Sequence, residues 1–123
     1  MGLPQIHRLK HWRDFRVVYQ QGIRRHSEHL VLRALSTRTV GEQSQINPSR
    51  IGISIGKKVS KKAVIRNRIK RQIHGAILQL LPRILDGWQI VIVVKPTAVE
   101  CKYDHFLREL EELLKKTKII NGY

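Results

Sequence analysis

Residues 51–94 read IGISIGKKVSKKAVIRNRIKRQIHGAILQLLPRILDGWQIVIVV, and this stretch decides the fold. Ile51, Ile53 and Ile55 alternate with Gly52, Ser54 and Gly56. That pattern is a strand with a branched apolar face on one side and almost bare backbone on the other, either a contact surface for a helix or a floor open to close approach. From Ser60, an N-cap residue type, to Leu81 the apolar positions Ile65, Ile69, Ile73, Ala76, Ile77 and Leu80 keep a 3.6-residue period, and Pro82 stops the helix. Residues 88–94 (WQIVIVV) are apolar at odd and even positions alike, which predicts a central strand covered on both faces.

The flanks complete the pattern. Trp12, Phe15 and Tyr19 recur at i, i+3 and i+7, predicting a short helix over residues 14–21 with an aromatic edge, closed by Gly22. Residues 23–26 read as a short extended piece and residues 28–36, rich in Leu and Val, as a strand. Residues 36–49 (STRTVGEQSQINPS) form a polar connection with Gly and Asn-Pro turn signals. Downstream, Tyr103, Phe106, Leu107, Leu110, Leu113 and Leu114 mark an amphipathic helix whose outer face pairs Glu111 with Lys115 and Glu112 with Lys116 at i, i+4. With no repeat and no low-complexity tract, residues 1–123 make one α+β domain with one sheet. A chain of this length buries roughly two-thirds of its unfolded surface, enough for a packed core.

Charge is the second dominant feature. Twenty-four Lys+Arg against nine Asp+Glu leave a net +15 on 123 residues. No acid occurs between Gln43 and Leu85, whereas that span holds ten basic residues. A polyanion relieves the self-repulsion of such a surface, because each neutralised phosphate releases condensed counterions. On a helical wheel Asn67, Lys70, Arg71 and His74 lie opposite the Ile65–Ile69–Ile73 stripe, with Arg66 and Arg68 on its flanks. Guanidinium groups suit bidentate phosphate contacts and base stacking, and an Asn amide reads base edges or a 2′-hydroxyl.

Other classes are excluded or disfavoured. The single cysteine, Cys101, cannot form an internal disulfide and reads as an inert, partly buried thiol. His26 and His29 would point to opposite faces of an extended chain, and no Cys/His set has zinc-site spacing, so no metal site is expected. The longest apolar run, Ile90–Val94, is far short of the ~20 residues that span a bilayer. The N-terminus lacks a signal-peptide core, so the cytoplasm is the expected location and no membrane partner is expected. The acid-free basic region offers no carboxylate cluster for nuclease chemistry, so no catalytic residue is expected. Trp12, Trp88 and Phe106 read as packing residues, and Gly75 inside the long helix suggests close approach of a strand or of RNA.

The string Arg66-Asn67-Arg68-x-Lys70-Arg71, preceded by Lys57-Lys58 at the end of the Gly/Ser strand, resembles the bacterial ribonuclease P protein subunit. Arg8-Leu9-Lys10 with Asp14-Phe15, Tyr19 and Gly22 is similar to that family's first helix, and Lys95-Pro96 to its exit from the last strand. The likeness runs from about Ile6 to Leu114. It implies an αβββαβα sandwich with a mixed four-stranded sheet and a left-handed βαβ crossover, as in the second domain of a small-subunit ribosomal protein. It further implies an accessory subunit of an endoribonuclease whose catalytic groups are RNA. That RNA would hold the Mg²⁺, with one protein per RNA and none of the metal bound by protein alone. By the same resemblance Lys57, Lys58, Lys61, Lys62, Arg66, Asn67, Arg68, Lys70 and Arg71 would face the catalytic RNA. Arg8, Phe15, Arg16, Tyr19 and Arg33 would bind the 5′ leader of precursor tRNA. By helical spacing alone Phe15 and Tyr19 read as core; the resemblance moves them to a cleft. Arg33 stands where the family often carries an aromatic, so guanidinium stacking or a phosphate contact would replace base stacking there. The alternative is a ribosomal-type structural rRNA-binding protein of similar size and charge. A sequence-specific DNA binder ranks third, since no short turn joins two helices.

Overall fold

The computed structural model describes residues 5–36 and 48–120. Helix α1 (Trp12–Gln21) leads into strands β1 (Ile23–His26), β2 (Leu30–Ser36) and β3 (Arg50–Ser54), then α2 (Ala63–Leu80), β4 (Trp88–Val94) and α3 (Tyr103–Lys116). This is the αβββαβα order, α+β as expected. Much of the connection over residues 36–49 lies outside the described residues. The sheet order is β1-β2-β4-β3, with β1–β2 and β2–β4 antiparallel and β3–β4 parallel. Strand β4 is therefore central, as its two-sided apolarity required.

Register sorts the side chains into two faces. Leu32, Ile92 and Ile53 lie in one row, and the adjacent row is Arg24, Arg33, Val91 and Gly52. The first face, with Leu30, Leu32, Ala34, Ile90 and Ile92, packs on Ile69, Ile73, Ala76, Ile77 and Leu80 of α2 and on Phe106, Leu110, Leu113 and Leu114 of α3. The second face carries only a small cluster in which Leu9 and Val18 cover Val91, with Phe15, Tyr19, Leu35 and Val93 at its edge.

Several local readings change. Helix α2 starts at Ala63, not Ser60. Ser60 Oγ instead accepts the N–H of Lys62 in the turn before the helix, and the helix ends at Leu80 where a 3₁₀ turn over Leu81–Arg83 absorbs Pro82. Buried Val59 joins the main core and anchors the otherwise lysine-rich lead-in. Gly75 is approached by the Tyr103 ring of α3: a Cβ there would sit 3.3 Å from it, so neither strand nor RNA explains this glycine. Gly22 does close α1, its N–H donating to Val18 O at 2.9 Å, and a Cβ would lie 2.7 Å from Ala34 O. Glu111 pairs with Arg83 at 2.6 Å, whose hydrogen bond holds its carboxyl below the usual range. Among the described residues no ion pair joins Glu111 to Lys115 or Glu112 to Lys116. Phe106 and Trp88 pack as expected, whereas Trp12 is 66% exposed with Arg13 stacked 5.7 Å from its ring.

Candidate nucleic-acid interface

The outer side of α2 is a surface of cations. Lys57, Lys58, Lys61 and Lys62 surround the helix start, and Asn67, Lys70 and Arg71 follow on its exposed side. The first turn contains no acid, and no side chain caps it. The positive end of an 18-residue helix thus coincides with four lysines, an arrangement whose field an anion relieves. Arg66 and Arg68 behave differently from their neighbours. Arg66 donates to Ser60 O at 2.8 Å and Arg68 to Val99 O at 2.6 Å, both half-buried. Of the Arg-Asn-Arg triplet, Asn67 is exposed, while the flanking guanidiniums are held by backbone carbonyls.

The sparsely covered sheet face makes the second surface. Residues 8 and 9 extend the sheet beyond β3, Arg8 bridging to Ile51 and Leu9 N–H donating to Ile51 O at 3.1 Å. Between this segment, α1 and α2 lies a cleft of about 530 Å³ lined by Arg8, Leu9, Lys10, Phe15, Ile51, Gly52, Ile53, Lys70 and His74. Its lining carries cations and no carboxylate. Gly52 is bare for a reason the strand pattern only hinted at: the tip of the Phe15 ring rests on it, and any Cβ would collide with that ring. Gly56, the next glycine on the same side, has no such neighbour. Phe15 and Tyr19 are half-buried, each supporting the small cluster while leaving surface open. Arg33 stacks 4.6 Å from the Tyr19 ring centroid and donates to Tyr19 O at 3.0 Å. Its guanidinium is thus held over the Tyr19 ring.

Arg8 and Arg16 are exposed. Of the five leader-binding candidates, Arg8 and Phe15 line the cleft, while Arg16 and Tyr19 on α1 and Arg33 on β2 lie outside its lining. Lys70 and His74 belong to both surfaces, which meet across β3 instead of standing apart. Sequence reasoning left Lys10, Arg24 and His26 out of the candidate binding residues. Arg24 and His26 pair in register with Arg33 and Val31, on the α1 side of the sheet, and register was not readable from a four-residue strand. Burial, then Lys70 and Arg8, lowers the His74 pKa; lost hydration, then Arg24, Lys95 and Arg33, lowers that of His26. Among the described residues no helix is long and apolar enough to cross a membrane.

These features have close relatives. The profile of the family described as ribonuclease P matches residues 3–118. The ribonuclease P protein component of Microcystis aeruginosa is 56% identical over 123 residues, the whole of both chains. That of a Nostoc species is 47% identical over 139 residues, covering 100% of this chain and 99% of the relative. The solved RNase P protein of Staphylococcus aureus superposes with a TM-score of 0.78 at 27% identity, covering 100% of this chain and 98% of the other. That of Thermotoga maritima gives 0.74 at 25% identity, covering 94% and 98%.

Proposed function

This chain belongs to the ribonuclease P protein family, and from that premise we propose that it binds a catalytic RNA through α2 and the 5′ leader of precursor tRNA in the cleft beside α1. The reaction it serves is hydrolytic removal of the leader to leave the mature 5′ end. Mg²⁺ held by the RNA would supply the activated water and stabilise the leaving oxygen; the cleft lining offers cations and no carboxylate. The family match over residues 3–118 favours this reading over the rRNA-binding alternative.

The observation that carries the reading is the carboxylate-free cleft joining Phe15 on its bare Gly52 floor to Lys70 and His74 of α2. A single strand can lay a base on the exposed part of Phe15 while its phosphates pass Arg8, Lys10 and Lys70. Arg33, pinned on Tyr19, offers a preoriented guanidinium to the next base or phosphate. The exposed lysines and Arg71 neutralise RNA phosphates, reducing repulsion between catalytic RNA and substrate. One protein per RNA in the cytoplasm completes the proposal.

Adding the purified protein to a cognate catalytic RNA at low Mg²⁺ tests it. Expected are faster cleavage and tighter precursor binding; an unchanged rate and unchanged affinity overturn it.

A further inference from the structure

Outside the lining of the basic cleft, a ring nitrogen of His29, Sγ of Cys101 and a carboxylate oxygen of Glu109 lie within 4.8 Å of one another. They come from the β1–β2 turn, the link after the 3₁₀ turn Pro96–Glu100, and α3. Cys101 and Glu109 are buried, Glu109 to 4% exposure. Oε1 of Glu109 accepts hydrogen bonds from Ser27 Oγ at 2.5 Å and from the His29 N–H at 2.8 Å, which fixes the carboxylate. Its Oε2 is buried with no hydrogen-bond partner. A buried carboxylate oxygen without a partner is costly, and a bound cation is one way a protein satisfies it.

Acidic side chains stand around this cysteine. Burial first, and then Glu109, Glu28 and Glu100, push the Cys101 thiol above its ordinary pKa. Three of the nine acids of a +15 chain therefore gather around one cysteine. The nearby ammonium of Lys95 is engaged with Ser27 O at 2.7 Å.

We propose that His29, Cys101 and Glu109 form a binding site for a thiophilic divalent cation of the zinc class. One nitrogen, one sulfur and one carboxylate oxygen are a donor set that zinc accepts and that Mg²⁺, which prefers oxygen alone, does not. Bonds of about 2.0–2.3 Å place tetrahedral ligands roughly 3.3–3.8 Å apart, so side-chain rotation must draw this set in by about 1 Å. Binding releases the Cys101 thiol proton to solvent, and no electron is transferred. Nδ1 of His29 is 2.9 Å from Thr97 Oγ1 and Nε2 is 3.7 Å from Glu28 Oε1, so whichever nitrogen ligates, the other keeps an oxygen neighbour that orients the ring. The His29 side chain is 16% exposed and gives the ion its way in, with the fourth position left to water. Occupied, the site clamps three segments together. Val99 O, which holds Arg68, lies two residues before Cys101, so the ion also steadies the flank of α2.

The test is independent of RNA. Chelator-treated full-length protein is titrated with Co²⁺, then with Zn²⁺. The expected result is about one equivalent of Co²⁺ giving a thiolate-to-cobalt charge-transfer band with tetrahedral visible bands, displaced by Zn²⁺. Cys101→Ser, nearly isosteric, abolishes the charge-transfer band, and His29→Gln weakens Zn²⁺ binding by at least roughly 10–100-fold. Circular dichroism of both variants establishes that they fold. If either fails to fold, protection of Cys101 from a thiol reagent by Zn²⁺ in the unmodified protein is the deciding measurement. Absence of the band and of protection, or equal Zn²⁺ affinity in folded Cys101→Ser, overturns the site.

Discussion

The two faces of the sheet are built from neighbouring residues of the same strands and meet different fates. Leu32 and Ile92 face two helices and are sealed in the main core, whereas Arg33 and Val91, one residue away on each strand, face a single ten-residue helix. One helix cannot cover a four-stranded sheet. The second face therefore buries a small apolar patch around Val18, lays the Phe15 ring over Gly52, and leaves a margin of arginines and an aromatic edge open to a ligand. Here the shortage of covering helix is what creates the cleft, and the bulk of stability is placed on the opposite side.

The comparison breaks first under core truncation, where the largest effect is expected. Ile73, fully buried beneath the sheet, should cost toward the upper end of about 2–5 kcal/mol on substitution by Ala, because α2, α3 and the sheet cannot collapse around the void. Leu9→Ala, in the small cluster at the cleft margin, should fall toward the lower end of the same range. Thermal denaturation of both variants checks this; equal losses would mean that the α1 face is as tightly packed as the other.

A smaller effect separates stacking from packing. Phe15→Ala should weaken binding of precursor with a long leader by about 1–3 kcal/mol per lost stack and leave leaderless substrate nearly unchanged. Gly52→Ala should imitate it, because the new methyl group displaces the Phe15 ring from its floor. Affinity measured with and without the leader decides the matter, and equal effects on both substrates would return Phe15 to the core.

Periodic features were legible in the sequence, and pairwise contacts were not. The Ile65 to Leu80 stripe and the two-sided residues 88–94 announced α2 and central β4, since burial imposes a period on the chain. The cleft was legible only in pieces. Gly52 advertised a close neighbour, but that the neighbour is Phe15 depends on how α1 crosses β3. Arg66 and Arg68 carry the same wheel-flanking signal that marks phosphate ligands, yet they spend donors on Ser60 O and Val99 O. Trp12 obeyed the aromatic spacing and still lies outside, as the first residue of α1. His29, Cys101 and Glu109 are scattered along the chain and follow no spacing rule, so only the tertiary fold brings them together.

Next in size is a distinction within α2. Arg71→Ala should reduce the salt dependence of binding to the catalytic RNA by about one unit without changing stability, because Arg71 is exposed. Arg68→Ala should also lower the melting temperature, since it removes a charged hydrogen bond worth roughly 1.5–3 kcal/mol to the carbonyl of Val99. Paired salt titrations and melting curves check both. Identical melting temperatures would show that the Arg68 contact contributes nothing to the fold.

The smallest expected effect is a response to pH that changes sign when RNA binds. His74 has its pKa lowered by burial and then by Lys70 and Arg8, and His26 by lost hydration and then by Arg24, Lys95 and Arg33. Because the folded values lie below the unfolded value of about 6.5, the unfolded chain takes up protons first. Their contribution to stability is present above about pH 6.5 and is lost as pH falls through the folded pKa values. Phosphates entering the cleft reverse the field, favouring imidazolium beside Lys70, so RNA binding takes up protons. From about pH 7.5 to about 5.5 the free protein should therefore melt lower while its affinity for precursor rises, by less than about tenfold per histidine. His74→Gln should remove part of both trends, measured by melting curves and by binding at constant ionic strength. An affinity slope identical to that of the unmodified protein would mean that the phosphates pass His74 by, and would move the leader path toward β1, where His26 and Arg24 remain to receive it.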